Sequence, residues 1–196
     1  PSFHQLIQTE SLRIISGIYK GRMFHPPKNI QARPTTDFAK ENLFNILENR
    51  LDFEGSDALD LFAGTGNISF ELVSRGCRQV TAVEKVFNHI RFIRKVMNDL
   101  HIHNLKVLKK DVFQFLSKPS GPYDLIFADP PYQMKGIEEI PRIIFRQGLL
   151  KKNGWLILEH SAHLKSLEDT YLTEQRKYGT VHFSFFSWPS ENHETS

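Results

Sequence analysis

The stretch from Ala58 to Gly66, Ala-Leu-Asp-Leu-Phe-Ala-Gly-Thr-Gly, constrains this chain more than any other. A short apolar run ends in Gly64-x-Gly66, and Ile68, Leu72 and Val73 follow at helical spacing. That order predicts a buried parallel strand, a tight turn and a helix, with glycines where the backbone bends and a ligand approaches closely. Asp60 falls at the carboxyl end of the strand, beside the crevice where open α/β sheets bind ligands. A carboxylate there repels a pyrophosphate and attracts an ammonium or sulfonium group. Ser69 stands where a dinucleotide fingerprint has its third glycine.

Strand and helix patterns alternate after this unit. Val80–Glu84, Leu105–Leu108, Tyr123–Ala128 and Trp155–Leu158 read as strands, the last opened by an Asn153-Gly154 turn. Val86–Leu100, Val112–Leu116 and Ile137–Phe145 read as helices between them. The alternation predicts an α/β fold with a mostly parallel sheet and helices on both faces. Thr170–Lys177 and Thr180–Trp188 break the rhythm and predict an antiparallel C-terminal hairpin turning at Tyr178-Gly179. Before the organising strand, Arg13–Ile15 and Arg22–Phe24 are β-prone runs punctuated by Gly17 and Gly21, which predicts an N-terminal β-hairpin. Thr36 or Asp37 then caps a helix carrying Phe38, Leu43, Phe44 and Leu47. The expected organisation is a flexible lead-in over 1–11, a basic hairpin arm over 12–33, a catalytic domain over 34–188 and a polar tail over 189–196.

Acids recur at strand ends. Asp60 ends one strand, Glu84 the next, and Asp111 follows the third. Glu84 lies 18 residues past Gly66, near the spacing at which an acid takes ribose hydroxyls. Asp111 is placed to accept from an adenine amino group, with the Val112 amide donating to the ring; taken alone, it reads better as a loop residue or helix cap. With Asp60, these acids describe a site for a nucleoside bearing a cation, and S-adenosylmethionine is the common cofactor of that kind.

After the fourth strand comes Asp129-Pro130-Pro131-Tyr132. Two prolines fix their own φ and hold the preceding residue extended, so the turn is rigid and presents acceptors outward. Asp129 and the Pro130 carbonyl suit the two hydrogens of an exocyclic amino group, and Tyr132 offers a stacking face. The chemistry that fits is methyl displacement onto that nitrogen, driven by positioning. An all-acceptor carboxylate suits the edge of guanine, which carries a donor beside its amino group, and leaves adenine open.

Together these segments resemble a class I S-adenosylmethionine-dependent methyltransferase of the amino-methylating group. More narrowly, the chain is similar to the bacterial small-subunit ribosomal RNA guanine-N(2)-methyltransferase family. The matching motifs run from Arg13 to about Phe186. They are Arg13-Ile14-Ile15-Ser16-Gly17 with Lys20-Gly21-Arg22, Arg33-Pro34-Thr35-Thr36-Asp37 leading into Lys40-Glu41 and Leu43-Phe44-Asn45, Leu59–Gly66, Ser74-Arg75-Gly76, Glu84, and Asp129–Tyr132. The resemblance implies a Rossmann-like, seven-stranded sheet. It implies cofactor contacts from Thr35, Asp60, Phe62, Ala63, Gly64, Thr65, Gly66, Glu84, Asp111, Val112 and Asp129, with Asp129, Pro130, Pro131 and Tyr132 at the reacting amine. It also implies RNA contacts from Arg13, Lys20, Arg22, Arg33 and Lys40, on a substrate that is 16S ribosomal RNA in the small subunit or its assembly intermediate.

Charge distribution agrees with an RNA partner. Net charge is only +3, yet Leu12–Arg33 holds five basic residues and no acid. The single cysteine, Cys77, suits a reducing cytosol and reads as a packed residue. The absence of a membrane-length apolar run predicts a cytoplasmic protein, expected to act as a monomer without a metal. His101-x-His103 and His160-x-x-His163 read as exposed loop histidines. The rivals are a DNA adenine or cytosine amino-methyltransferase, a nicotinamide oxidoreductase, and a non-catalytic RNA-binding protein with a methyltransferase fold. The chain has little room for a DNA target-recognition segment, and the other two leave Asp129–Tyr132 without a role.

Overall fold

The structure, a computed structural model, describes residues 11–28, 30, 35–161 and 171–189. Strand β6 (Tyr123–Ala128) shows how the sequence makes the sheet. Its Leu125 and Phe127 point into one apolar cluster and Ile126 and Ala128 into another. Period-two alternation with both faces apolar is what a strand covered by helices on each side requires. Beside it lie β3 (Asp57–Asp60), β4 (Gln79–Glu84) and β5 (Leu105–Lys109) on one side, with β7 (Leu150–His160), β9 (Val181–Phe186) and β8 (Leu172–Tyr178) on the other. The order is β5-β4-β3-β6-β7-β9-β8. β5 through β7 are parallel, and β9 runs antiparallel to both β7 and β8.

Helices α1 (Asp37–Glu48), α2 (Asn67–Ser74) and α3 (Phe87–Leu100) cover one face through Leu43, Phe44, Leu72 and Ile93. Helices α4 (Val112–Ser117) and α5 (Glu139–Arg146) cover the other through Phe115, Leu116, Ile140 and Ile144. Each such side chain contributes about 1.5–3 kcal/mol by leaving water. Thr36 caps α1, its hydroxyl accepting from the Ala39 amide at 3.2 Å. The chain order reverses between β3 and β6, which opens a crevice at the carboxyl ends of the strands. Among the described residues, no helix is long and apolar enough to cross a membrane.

Two elements differ from expectation. β7 begins at Leu150, not after Asn153-Gly154, because the pairing steps from Tyr123↔Leu150 to Leu125↔Trp155 and bulges the intervening residues out of register. α5 begins at Glu139, since Gly136–Glu138 form the turn that leads into it.

The N-terminal hairpin pairs β1 (Leu12–Arg13) with β2 (Met23–Phe24). It is bolted to α2. Glu71, fully buried, accepts from the Ile15 amide at 2.8 Å and the Ser16 amide at 3.0 Å. Ser74 Oγ donates to the Ser16 carbonyl at 2.5 Å and accepts from the Tyr19 amide at 3.0 Å. Gly17 makes this approach attainable, because a Cβ there would fall 1.8 Å from the Ser74 carbonyl oxygen.

Candidate active site

A cleft of about 610 Å³ opens at the carboxyl ends of β3, β4, β6 and β7. That is the size of a small-molecule site. Its wall holds Thr35, Asp60, Phe62, Ala63, Gly64, Thr65, Glu84, Asp111, Val112, Asp129, Pro130, Pro131 and Tyr132, so the structure brings the glycine turn, the strand-end acids and the proline turn together.

Asp60 terminates β3 and is almost wholly buried; Ser69 Oγ donates to it at 2.6 Å. Burial, with the neighbouring Glu84 charge, pushes its carboxyl up to about 7 despite that hydrogen bond. The cost of keeping this group ionised would be relieved by a cation in the cleft. Ser69, which broke the dinucleotide pattern, is thus the hydrogen-bond donor to Asp60.

Glu84 terminates β4. Its Oε2 accepts from the Gly64 amide at 2.7 Å, and its Oε1 accepts from the amides of Lys85 and Val86 at 2.8 and 2.7 Å. His89 Nδ1 stands 3.4 Å from Oε2. Burial acts to raise its carboxyl, but His89 and the Val86 and Gly64 amides outweigh it and hold the group below its ordinary value. Glu84 is therefore ionised, and it keeps acceptor capacity toward the cleft.

Asp111 is a helix cap that also reaches the cleft. It caps α4 by accepting from the Phe113 amide at 3.0 Å. Following β6 and Asp129-Pro130, a turn over Pro131–Met134 is closed by the Met134 amide donating to the Pro131 carbonyl at 2.8 Å. Pro130 is buried, and Tyr132 is 38% exposed and lines the cleft.

Gly66 sits at the N-terminus of α2 with φ +87°, and a Cβ there would lie 2.8 Å from the Phe70 ring, so helix packing requires a glycine. Two expectations are corrected. Lys40 is not on the surface for RNA: it is 1% exposed and donates to the Arg13 carbonyl and to Asn67 Oδ1 at 2.8 Å, with Glu71 3.6 Å away. Burial drives its ammonium below the ordinary lysine value against the pull of Glu71. His160 is no loop histidine; it ends β7, buried, with Nε2 2.8 Å from Ser184 Oγ. Arg13, Lys20 and Arg22 are exposed, and Arg33 lies outside the described residues. Cys77 is packed as expected, its thiol pushed up to about 12 by burial.

The structure adds Glu159, Asn67 and His89 to the site. Glu159 is buried near the end of β7 and accepts from the Thr35 hydroxyl at 2.8 Å, while Asn67 Nδ2 donates to the Thr35 carbonyl at 3.1 Å. Thr35 is thereby pinned over the cleft from both sides. Glu159 obeys the strand-end rule that flagged Asp60 and Glu84. The resulting cleft is acidic within, through Asp60, Glu84, Asp129 and Glu159, and basic at its rim, through Lys85 and Lys110. That polarity suits a small cation inside and a polyanion outside.

A seven-stranded sheet with its last pair reversed, carrying such a cleft at the strand ends, defines the class I methyltransferase fold. A family model described as "Conserved hypothetical protein 95" matches residues 12–187, and the chain belongs to this family, that of ribosomal RNA small subunit methyltransferase D. The chain is 31% identical over 180 residues to ribosomal RNA small subunit methyltransferase D of Buchnera aphidicola subsp. Baizongia pistaciae, spanning 90% of this chain and 91% of the relative. The solved structure of Escherichia coli yhhF superposes with a TM-score of 0.80 at 26% identity, over 92% of this chain and all (100%) of that one. The 16S rRNA N2 G1207 methyltransferase of Thermus thermophilus, solved with AdoMet and guanosine, shares the fold at a TM-score of 0.71 and 22% identity, over 92% of this chain and 50% of that one.

Proposed function

We propose that this methyltransferase transfers a methyl group from S-adenosylmethionine to the exocyclic 2-amino group of a guanine in 16S ribosomal RNA, in the small subunit or its assembly intermediate. The observation that carries the proposal is the shared cleft: the acids suited to a cationic nucleoside and the turn suited to a planar amine line the same wall. The relatives' names supply the ribosomal RNA, and the fold is shared with a protein solved with AdoMet and guanosine.

Asp60 faces the cationic portion of the cofactor, Glu84 accepts from its ribose hydroxyls, and Asp111 with the Val112 amide reads its adenine. The Phe62–Thr65 turn and Thr35, held by Glu159 and Asn67, would help to hold it. Bound there, the cofactor supplies an electrophilic methyl on a sulfonium. Asp129 and the Pro130 carbonyl accept the two amino hydrogens of the base, so the nitrogen lone pair is aimed into the cleft. Tyr132 stacks on the ring and excludes water. Asp129 would take the proton as the N–C bond forms and the methyl–sulfur bond breaks, with S-adenosylhomocysteine as the leaving group, so a strong base is not needed. Arg13, Lys20 and Arg22 grip phosphates.

Incubation with labelled S-adenosylmethionine and small subunits lacking the modification, followed by mass spectrometry of the digested RNA, tests the proposal. N2-methylguanosine is the expected product. A methylated adenosine or cytidine, or no label in RNA, overturns it.

A further inference from the structure

Between Lys85 and Lys110 the chain has seven lysines and arginines and one acid, Asp99. The N-terminal arm, with five, is the smaller basic segment. The fold does not scatter these charges. Glu84 pairs in register with Lys109, and the Lys110 amide donates to the Glu84 carbonyl at 3.1 Å, so the turns after β4 and β5 lie side by side. Lys85, Lys109 and Lys110, all exposed, therefore share one end of the sheet. Phe87 opens α3 there, 54% exposed, with Lys109 Nζ 5.3 Å from its ring centroid. Arg91 and Arg94, also exposed, continue from Phe87 along one side of α3 at spacings of four and three residues.

The opposing charges are few. Asp99 answers Lys95 at 2.6 Å, and Asp111 stands 3.9 Å from Lys85 while capping α4. Lys109, Lys110, Arg91 and Arg94 have no acid within ion-pair distance among the described residues. A row of cations beside an exposed aromatic ring is the chemistry of a strand of nucleic acid, phosphates on the cations and a base on the ring.

We infer that Lys85, Lys109 and Lys110 with the Phe87–Arg91–Arg94 side of α3 form a second RNA-binding strip, which takes the backbone of the ribosomal RNA on the cofactor side of the cleft. It begins at the rim, where Lys85 and Lys110 belong to the cleft wall, and descends about 10 Å along the helix from Phe87 to Arg94. The strip rests on the proposed RNA substrate. The N-terminal arm then holds one part of the target and the strip another, with the reactive base between them.

The test is the triple variant Arg91→Ala/Arg94→Ala/Lys109→Ala, whose sites are exposed and outside the cleft wall. Binding to a 16S ribosomal RNA fragment, measured by anisotropy from 50 to 300 mM salt, is expected to weaken at least ten-fold. The slope of log affinity against log salt should fall by about 2–3, since each lost phosphate contact removes about 0.7–0.9. Methyl transfer should show a raised KM for RNA with kcat and calorimetric S-adenosylmethionine affinity unchanged. A variant that keeps both affinity and slope, while wild-type protein binds RNA, overturns the strip alone. Loss of binding to anionic vesicles with RNA binding retained does the same. Wild-type protein that neither binds nor methylates ribosomal RNA overturns the proposed function and the strip with it.

Discussion

The Gly64 amide donates to Glu84 Oε2 across 2.7 Å, so the glycine turn after β3 and the acid at the end of β4 are one unit. The same carboxylate holds the Lys85 and Val86 amides at the start of α3. One side chain thus sets the shape of two neighbouring loops before any ligand arrives.

Glu84→Ala is accordingly expected to act twice. It strands three amides, costing about 1–3 kcal/mol in stability, and it weakens S-adenosylmethionine binding at least ten-fold. Thermal unfolding and calorimetry read the two effects separately. Because the folded carboxyl lies below its ordinary value, its share of stability is present above that value and is lost as pH falls through the lowered one. Unchanged cofactor affinity would remove Glu84 from the ribose.

Asp60 has the opposite sign. Its folded value of about 7 lies above the unfolded carboxylate value of 3.8, so the folded state holds the extra proton. Its contribution is fully present below the unfolded value and is lost as pH rises through about 7. A cationic ligand prefers the ionised form, so cofactor affinity should rise between pH 6 and 8 with release of a proton. Isothermal titration in buffers of different ionisation enthalpy checks this. Asp60→Asn should flatten the pH profile; a flat wild-type profile would separate Asp60 from the cation.

Asp129→Ala is expected to abolish methyl transfer, a loss of at least a hundred-fold in kcat, while cofactor affinity changes little. The variant removes an acceptor for the amine and keeps the proline turn. Calorimetry showing cofactor binding lost in step with activity would count against an amine-gripping role.

Lys40→Met should destabilise the protein by about 3 kcal/mol, because a buried ion pair is broken from one side and the Arg13 carbonyl loses its donor. Amide exchange should quicken first in Ile14–Ser16, next to the severed contact. Replacing Arg13, Lys20 and Arg22 with alanine should instead leave the melting temperature in place and flatten the salt dependence of RNA binding.

Most of the sheet was readable from local pattern. β6 has apolar residues on both faces, and β3 runs into glycines, so neither needed distant partners to be recognised. Asp60, Glu84 and Asp111 followed from one rule about strand ends, and Asp129 from the proline turn. Glu159 escaped the same rule because the β7 run was ended at Leu158, two residues short of the strand's limit. Lys40 was misread for a different reason. The resemblance placed it at the RNA, whereas its burial depends on Arg13 from β1 and on Asn67 and Glu71 from α2, partners that only the fold brings together. His89 was likewise invisible, since only the fold sets it against Glu84. The basic stretch from Lys85 to Lys110 was in plain view, but as ordinary helix and strand residues; its alignment beside Phe87 is a product of β4–β5 register.

The docking of Ile15, Ser16 and Tyr19 onto Glu71 and Ser74 fixes the hairpin to α2. Those two anchors belong to the helix that springs from the glycine turn, so whatever the arm seizes is registered against the methyl carrier at a preset offset, like work held in a jig. Exchanging arms between relatives to redirect their choice of nucleotide would therefore succeed only if the matching sockets on that helix travelled with them.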